Sequence, residues 1–399
     1  MGPPMGTQLH EPPCQRTCAP GVLGARNPLT ARDRTSTVLP VSPSVLVVGG
    51  GIAGAATALA LRRAGMHPQI HEAHPTGAAD LGAFLTIMPN GLRALAALDA
   101  AEPVEAVSFP ARRTSVHDMT TGSTRQLPSG GGRGLRTLTR AALNRALQDA
   151  AVHRGIPIHH GKQLTSASTT RCGVRAAFSD GSAVETDLLV GADGLRSRVR
   201  RELDPLAPDP ERANLLVLYG VARNGPRREP ERWDFYRSAD HVLGCTTAPD
   251  GSTWWFLRAD PGGARGAPRG SDEWRALAHR LTSGASTPGA RLVQATDRVL
   301  GVDVHHLPHV PTWHDGGRIV LVGDAVHAIS PASAQGASLC AEDAAVLGQC
   351  LRDLPPSAAF SRYEQRRRDR VETIVAMGAG RAHPDLNPQD WDIDWEASS

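Results

Sequence analysis

"VLVVGGGIAGAATALALRRAGMHPQIHEA" occupies residues 45–73, and the order of residue types within it decides the fold. Four strand-type residues, Val45 to Val48, run into Gly49-x-Gly51-x-x-Gly54. An Ala- and Leu-rich stretch of helical character follows, then a second strand-like segment, "PQIHEA". The first glycine permits the tight turn, the second lets backbone approach a pyrophosphate, and the third allows close helix–strand packing. The helix N-terminus then offers N–H groups and positive potential to phosphate. Glu72 closes the second strand about 20 residues past Gly49, where a carboxylate accepts hydrogen bonds from ribose hydroxyls. It would repel a 2′-phosphate, so the nucleotide reads as NAD- or FAD-like. This segment alone leaves both open.

Two further stretches repeat the theme. "DLLVGADGLRSRVRREL" (187–203) is a strand ending in Gly191-Ala192-Asp193-Gly194. "IVLVGDAVHAISPASAQG" (319–336) is a strand ending in Gly323-Asp324. Three strand ends, each bearing glycine and an acid, suit an extended ligand lying across one sheet edge. Between them, "LRTLTRAALNRALQDAAVHRG" (135–155) has helical spacing, with Leu138, Ala142, Leu143 and Leu147 on one side. Short strands with a hairpin turn at Asp180-Gly181 are expected over 156–190. Residues 212–312 change to strands and turns, and Trp233, Phe235, Tyr236, Trp254, Trp255 and Phe256 predict a sheet with large side chains on one face. "ASLCAEDAAVLGQCL" and "FSRYEQRRRDRVETIVAMGAG" read as two helices, with "RRRDR" (366–370) as a solvated face.

Composition narrows the function classes. Net charge is +3, and Lys162 is the only lysine beside scattered arginines, so no nucleic-acid partner is expected. No run approaches the ~18 apolar residues of a membrane span. The six cysteines lack disulfide-framework spacing and no signal-peptide segment opens the chain, which reads as cytoplasmic. Prolines interrupt His305, His306, His309, His314 and His327, and no cysteine accompanies them, so no metal site is expected.

The fingerprint at 49–54, "GADGLRSRVR" (191–200) and the Gly-Asp pair at 323–324 resemble, in kind and order, one family. "GAFLTIMPNGLRALAALD" (82–99) and "TLTRAALNRAL" (137–147) add to the likeness. The family is the FAD-dependent class A (single-component) flavoprotein monooxygenases, the aromatic hydroxylases. The resemblance implies an α/β fold: a Rossmann-like FAD-binding domain with an inserted mainly-β substrate lobe, para-hydroxybenzoate-hydroxylase-like. It divides the chain into a disordered N-terminal extension (1–42), a discontinuous FAD-binding domain (43–211 and 313–385), a sheet-rich substrate lobe (212–312) and a loose tail (386–399).

By the same resemblance Gly49, Gly51, Ile52, Ala53 and Gly54 hold the FAD pyrophosphate, with Glu72 on the adenosine ribose. Arg140 contacts FAD, Leu164 offers backbone to adenine, and Asp193 and Gly194 serve FAD and reduced nicotinamide. Asp324 takes the ribityl chain, and the helix opening at Gly336 and Ala337 points its N-terminus at the flavin N1–C2 edge. Read singly, Arg140 or Asp324 could instead be a surface charge or a helix cap. Pro331 is expected as a wall at the flavin face, and Trp233 and Trp255 as substrate-pocket walls. The family commonly has Gly-Gln-Gly where this chain has Ala334-Gln335-Gly336, a change that costs energy only if φ at Ala334 is positive.

The implied chemistry is NADH or NADPH reduction of bound FAD, O2 addition, and oxygen transfer from a flavin C4a-hydroperoxide. The acceptor is a small, electron-rich, mostly apolar molecule, hydroxylated or epoxidised in secondary metabolism by a monomer or homodimer. Two rivals stand beside it: an FAD-dependent dehydrogenase or oxidase without oxygen insertion, and a non-catalytic flavin-binding regulatory module.

Overall fold

The computed structural model describes residues 42–76, 83–127, 134–225, 228–260, 270–283, 288–378 and 387–398; the extension at 1–41 lies outside them. The chain opens with β1 (Ser44–Val48), α1 (Ile52–Arg63) and β2 (His67–His71), the strand–helix–strand unit expected from the glycine spacing. Next come β3 (Phe84–Ile87), α2 (Pro89–Ala97), α3 (Ala101–Ala106), β4 (Phe109–Ala111), β5 (Arg113–Asp118), β6 (Thr124–Leu127) and β7 (Leu135–Thr139). These lead into α4 (Arg140–His153), β8 (Ile158–His159), β9 (Leu164–Thr169), β10 (Val174–Phe178), β11 (Ala183–Thr186), β12 (Leu188–Gly191) and α5 (Arg198–Leu203). The next stretch holds β13 (Glu211–Ala222), β14 (Arg232–Arg237), β15 (His241–Thr247), β16 (Thr253–Ala259), α6 (Ser271–Thr282), α7 (Pro288–Gln294) and β17 (Val299–His306). The chain closes with β18 (Ile319–Leu321), α8 (Asp324–His327), a 3-10 turn (Pro331–Ser333), α9 (Gly336–Asp353) and α10 (Pro356–Gly378).

Five parallel strands form one sheet in the order β18-β12-β1-β2-β8. Both faces are covered, which is why β1 reads as an unbroken apolar run; Val45, Leu46 and Val47 are fully buried. Helix α9 is buried from Ser338 through Leu351 and packs on α1, α2 and α10.

Seven strands form the second large sheet, in the order β17-β13-β16-β15-β14-β5-β6. Alternation along each strand gives it two faces. Leu218, Trp255 and Leu257 pack with Trp274 and Leu277 of α6, while Tyr219, Trp233, Phe235, Trp254 and Phe256 gather with Phe84 on the opposite side. Gly220 lets the Trp255 indole lie flat, since a Cβ there would sit 2.3 Å from the ring.

Four expectations are corrected. The helix expected over 135–155 begins only at Arg140, because Leu135–Thr139 is a strand and Thr139 caps the helix by accepting from Ala142 N at 3.0 Å. The sheet-rich lobe set at 212–312 draws two more strands, β5 and β6, from residues assigned to the FAD-binding domain. "RRRDR" is no solvated face throughout, because Arg367 is fully buried between Glu342 and Asp343. Nor are the closing residues loose. Trp395 is buried, and Gln349 Nε2 donates to Asp394 O at 2.7 Å.

Candidate active site

The carboxyl ends of β1, β2 and β12 and the segment after β18 open onto one cavity of about 1190 Å³, roofed by the seven-stranded sheet. Ligands of open α/β sheets bind at such strand ends. The volume exceeds that of a typical drug-sized pocket, roughly 300–1,000 Å³.

On the floor, Gly49 takes φ +103°, and a Cβ there would fall 2.4 Å from Ala192 O. A Cβ at Gly54 would stand 1.9 Å from Gly49 O, so α1 packs directly on the turn. A Cβ on Gly51 would meet nothing within 4 Å. The face a pyrophosphate needs is therefore clear, and Ile52 and Ala53 open α1 onto it. Glu72 lines the cavity and is tied down: Oε2 accepts from Gly50 N at 2.6 Å and Oε1 from His74 N at 2.8 Å.

Helix α4 presents Arg140 and Asn144 to the cavity one turn apart. Gln148, a further turn on, donates to Gly50 O at 2.6 Å. No described acid pairs with Arg140, and Asn144 Oδ1 is buried without a partner. The sequence reading missed Asn144 and Gln148, although both stand at i+4 steps from Arg140. His71 was also missed. Its ring lies between His159 and Phe178, Nδ1 is buried without a partner, and burial, then the charges of His159 and Lys162, lower its pKa to about 4.

Asp193 lines the cavity, but its carboxylate caps α5, accepting from Ser197 Oγ at 2.5 Å, Arg198 N at 2.6 Å and Val199 N at 3.1 Å. Burial nonetheless pushes its carboxyl up. Gly194 follows at φ +76°. Arg200, buried, joins this segment to the other acid-bearing one by donating to Ala325 O at 2.8 Å and Leu195 O at 2.9 Å. Leu164 lines the cavity at the start of β9.

Pro331, Ala334, Gly336 and Ala337 line the cavity beside Asp324. Ala334 has φ +54°, so the alanine does carry a left-handed cost, roughly 1–2 kcal/mol. The loop is held from behind. Asn90 Nδ2 donates to Gln335 Oε1 at 2.9 Å and to Glu342 Oε1 at 2.7 Å. Glu342 also receives Arg367 and Arg370, while Asp343 receives Arg367 and His327. Burial would raise the Asp343 carboxyl, but the His327 and Arg367 charges hold it at about 2.

The roof contributes Tyr219, Trp233, Phe235, Phe256 and Arg258. Trp233 lines the cavity. Trp255 does not: its indole is fully buried on the far face of the sheet and donates to Thr296 Oγ1 at 2.8 Å. Apart from Gly54, which packs behind the turn, the expected cofactor residues all line this one cavity. The uncovered Gly51 face, the unpartnered Asn144 and His71 atoms, Arg140 and two helix N-termini fit a flavin dinucleotide.

The chain matches the family described as "FAD binding domain" over residues 42–377. It is 28% identical over 350 residues to an FAD-dependent urate hydroxylase of Klebsiella pneumoniae, covering 84% of this chain and 88% of that protein. It is 30% identical over 348 residues to the aurachin C monooxygenase/isomerase of Stigmatella aurantiaca, covering 84% and 87%. The crystal structure of Klebsiella pneumoniae HpxO complexed with FAD and uric acid matches with TM-score 0.76 and 26% identity, over 85% of this chain and 87% of that one. The chain belongs to the FAD-binding-domain family. It is an FAD-dependent flavoprotein monooxygenase, with the fold expected of that family.

Proposed function

We propose that this enzyme uses NAD(P)H and O2 to insert one oxygen atom into a small, electron-rich aromatic ring held under the aromatic roof. The observation that carries the reading is the union, in one cavity, of a dinucleotide-binding floor and a wall built from Tyr219, Trp233, Phe235 and Phe256. FAD supplies the redox chemistry when bound. The chain's own residues bind, orient and exclude water.

In this reading the α1 N-terminus and Gly51 take the pyrophosphate, Glu72 and Arg140 take the adenosine side, and Asp324 takes the ribityl chain. Gly336 and Ala337 present the α9 N-terminus to the flavin, with Pro331 as a wall. The FAD-binding part comprises 43–211 and 313–385 less the two roof strands β5 and β6. Free thiols at Cys172, Cys245, Cys340 and Cys350 support a reducing, cytoplasmic setting. No described helix is long and apolar enough to cross a membrane.

The test is aerobic NADH and NADPH consumption by the FAD-loaded protein, with product mass measured under 18O-labelled O2. Urate and aurachin C, the compounds in the names of two relatives, head the panel. Label in the product supports the reading. Hydrogen peroxide matching complete substrate oxidation, with no label incorporated, would favour an oxidase instead.

A further inference from the structure

The apolar roof continues past the cavity. Strand β17 is an edge of the seven-stranded sheet, and Val302 on it lines the cavity. Leu300, two residues back, lies on the same face. Gly301 between them turns to the other side, where a Cβ would stand 2.3 Å from the Trp274 ring of α6. Leu300 and Val302 are 40% and 39% exposed. The other exposed large apolar side chains among the described residues, Val107, Met119, Val152 and Leu206, each stand on a separate segment, as isolated surface residues do.

Register joins this pair to the cavity. Leu300 pairs with Tyr219, Tyr219 with Phe256, Phe256 with Gly244 and Gly244 with Phe235, so one row of the sheet carries apolar side chains from the pocket to the edge. Gly244 makes room in that row, since a Cβ there would fall 2.6 Å from the Phe256 ring and 3.2 Å from the Phe235 ring. In the neighbouring row Val302 pairs with Val217, and the charge of Arg258 comes only on the strand beyond. From β16 to β17 the row spans two strand spacings, roughly 10 Å, the reach of an extended chain of roughly eight carbons. Covering such a face with apolar atoms removes it from water, which is favourable in proportion to the area.

We propose that this row is a track for an aliphatic chain carried by the aromatic substrate. The ring lies under Tyr219 and Phe256, and the chain runs out past Val302 to Leu300 at the sheet edge. The oxidised ring stays small, while the whole substrate is longer than the small molecule expected from sequence. Continuity with the cavity, through Tyr219 and Val302, favours a substrate chain over a second copy of the protein as the occupant. This rests on the monooxygenase reading of the cavity.

The test is calorimetric titration of the FAD-loaded enzyme with the ethyl, butyl, hexyl and octyl members of the para-alkylphenols, each below its solubility limit. Affinity should rise about twofold per added methylene, half the free energy of full burial, and so at least roughly 30-fold from ethyl to octyl. The loss caused by Leu300→Gln should grow along the series, to about tenfold at octyl, and Val302→Thr should act in the same direction. Equal affinities along the series, a chain-length gain untouched by both variants, or no heat from any phenol overturns the track while FAD stays bound. So does a dimer in sedimentation that Leu300→Gln dissolves, because a second copy then covers the row. A protein that takes up no FAD overturns the monooxygenase reading instead. Should Leu300→Gln fail to fold, Val302→Thr decides.

Discussion

Arg367 on α10 donates through Nε to Asp343 on α9 at 2.8 Å, with both side chains fully buried. The same guanidinium bonds Glu342, which also receives Asn90, the residue that grips Gln335 in the cavity loop. The loop's position thus depends on charges buried behind it. Arg367→Met should leave two buried carboxylates short of a cation and cost about 3–5 kcal/mol, read as a drop in Tm. The double variant Glu342→Gln, Asp343→Asn in that background should recover part of the loss.

Two glycines of the fingerprint should behave differently. Gly54→Ala drives a Cβ against the Gly49 carbonyl, so both the fold and FAD retention should suffer. Gly51→Ala meets no protein atom, so apo stability should hold within about 0.5 kcal/mol. FAD affinity should still fall by roughly tenfold or more, because the methyl would enter the space proposed for the pyrophosphate. Equilibrium FAD titration beside thermal melts of the apo protein separates the two.

Ala334 holds a left-handed conformation in the loop that lines the cavity. Ala334→Gly removes the Cβ clash but adds unfolded-chain entropy, so it should stabilise by a few tenths to about 1 kcal/mol. A loss of stability in chemical denaturation would show that the alanine methyl makes a contact worth more than the strain.

His71 sets an acid limit on stability. Its folded pKa is lowered to about 4, below the ordinary 6.5, by burial and by the neighbouring His159 and Lys162 charges. Between those values the unfolded chain binds a proton that the folded one does not. The contribution is therefore complete above about pH 6.5 and is lost as pH falls toward about 4, amounting to roughly 3 kcal/mol. His71→Gln should flatten the fall in Tm over that window relative to the parent protein.

Trp233 and Trp255 supply a control for the roof. Trp255→Phe leaves Thr296 Oγ1 without its donor and opens a gap over Gly220, so it should lower Tm. Trp233→Phe should act on the substrate side, changing KM for the identified substrate more than Tm. Steady-state kinetics beside thermal melts tells them apart.

Much of this was legible in the order of residues. The turn at Gly49, the hairpin at Gly181 and the helix from Ile52 follow from local spacing, because a positive φ or a close helix approach demands glycine within a few residues of fixed type. The helical face of α4 was only half read. Arg140 was found by motif, while Asn144 and Gln148, at the next i+4 steps, went unseen. Gln148 serves Gly50, about a hundred residues back along the chain, and nothing near it in sequence hints at that partner.

The strand–glycine turn–helix unit and a dinucleotide-type ligand at its strand ends follow from short-range backbone chemistry, whereas FAD in particular was implied by the family resemblance. Which tryptophan faces the cavity needed the folded chain. Alternation puts Trp254 and Phe256 on one face of β16 and Trp255 on the other, but both faces are apolar, so the pattern does not say which one α6 covers. The burial of Arg367 was settled in the same way. Whether a charge meets water, an acid or nothing depends on strands and helices brought together from distant parts of the chain, and no local spacing records that.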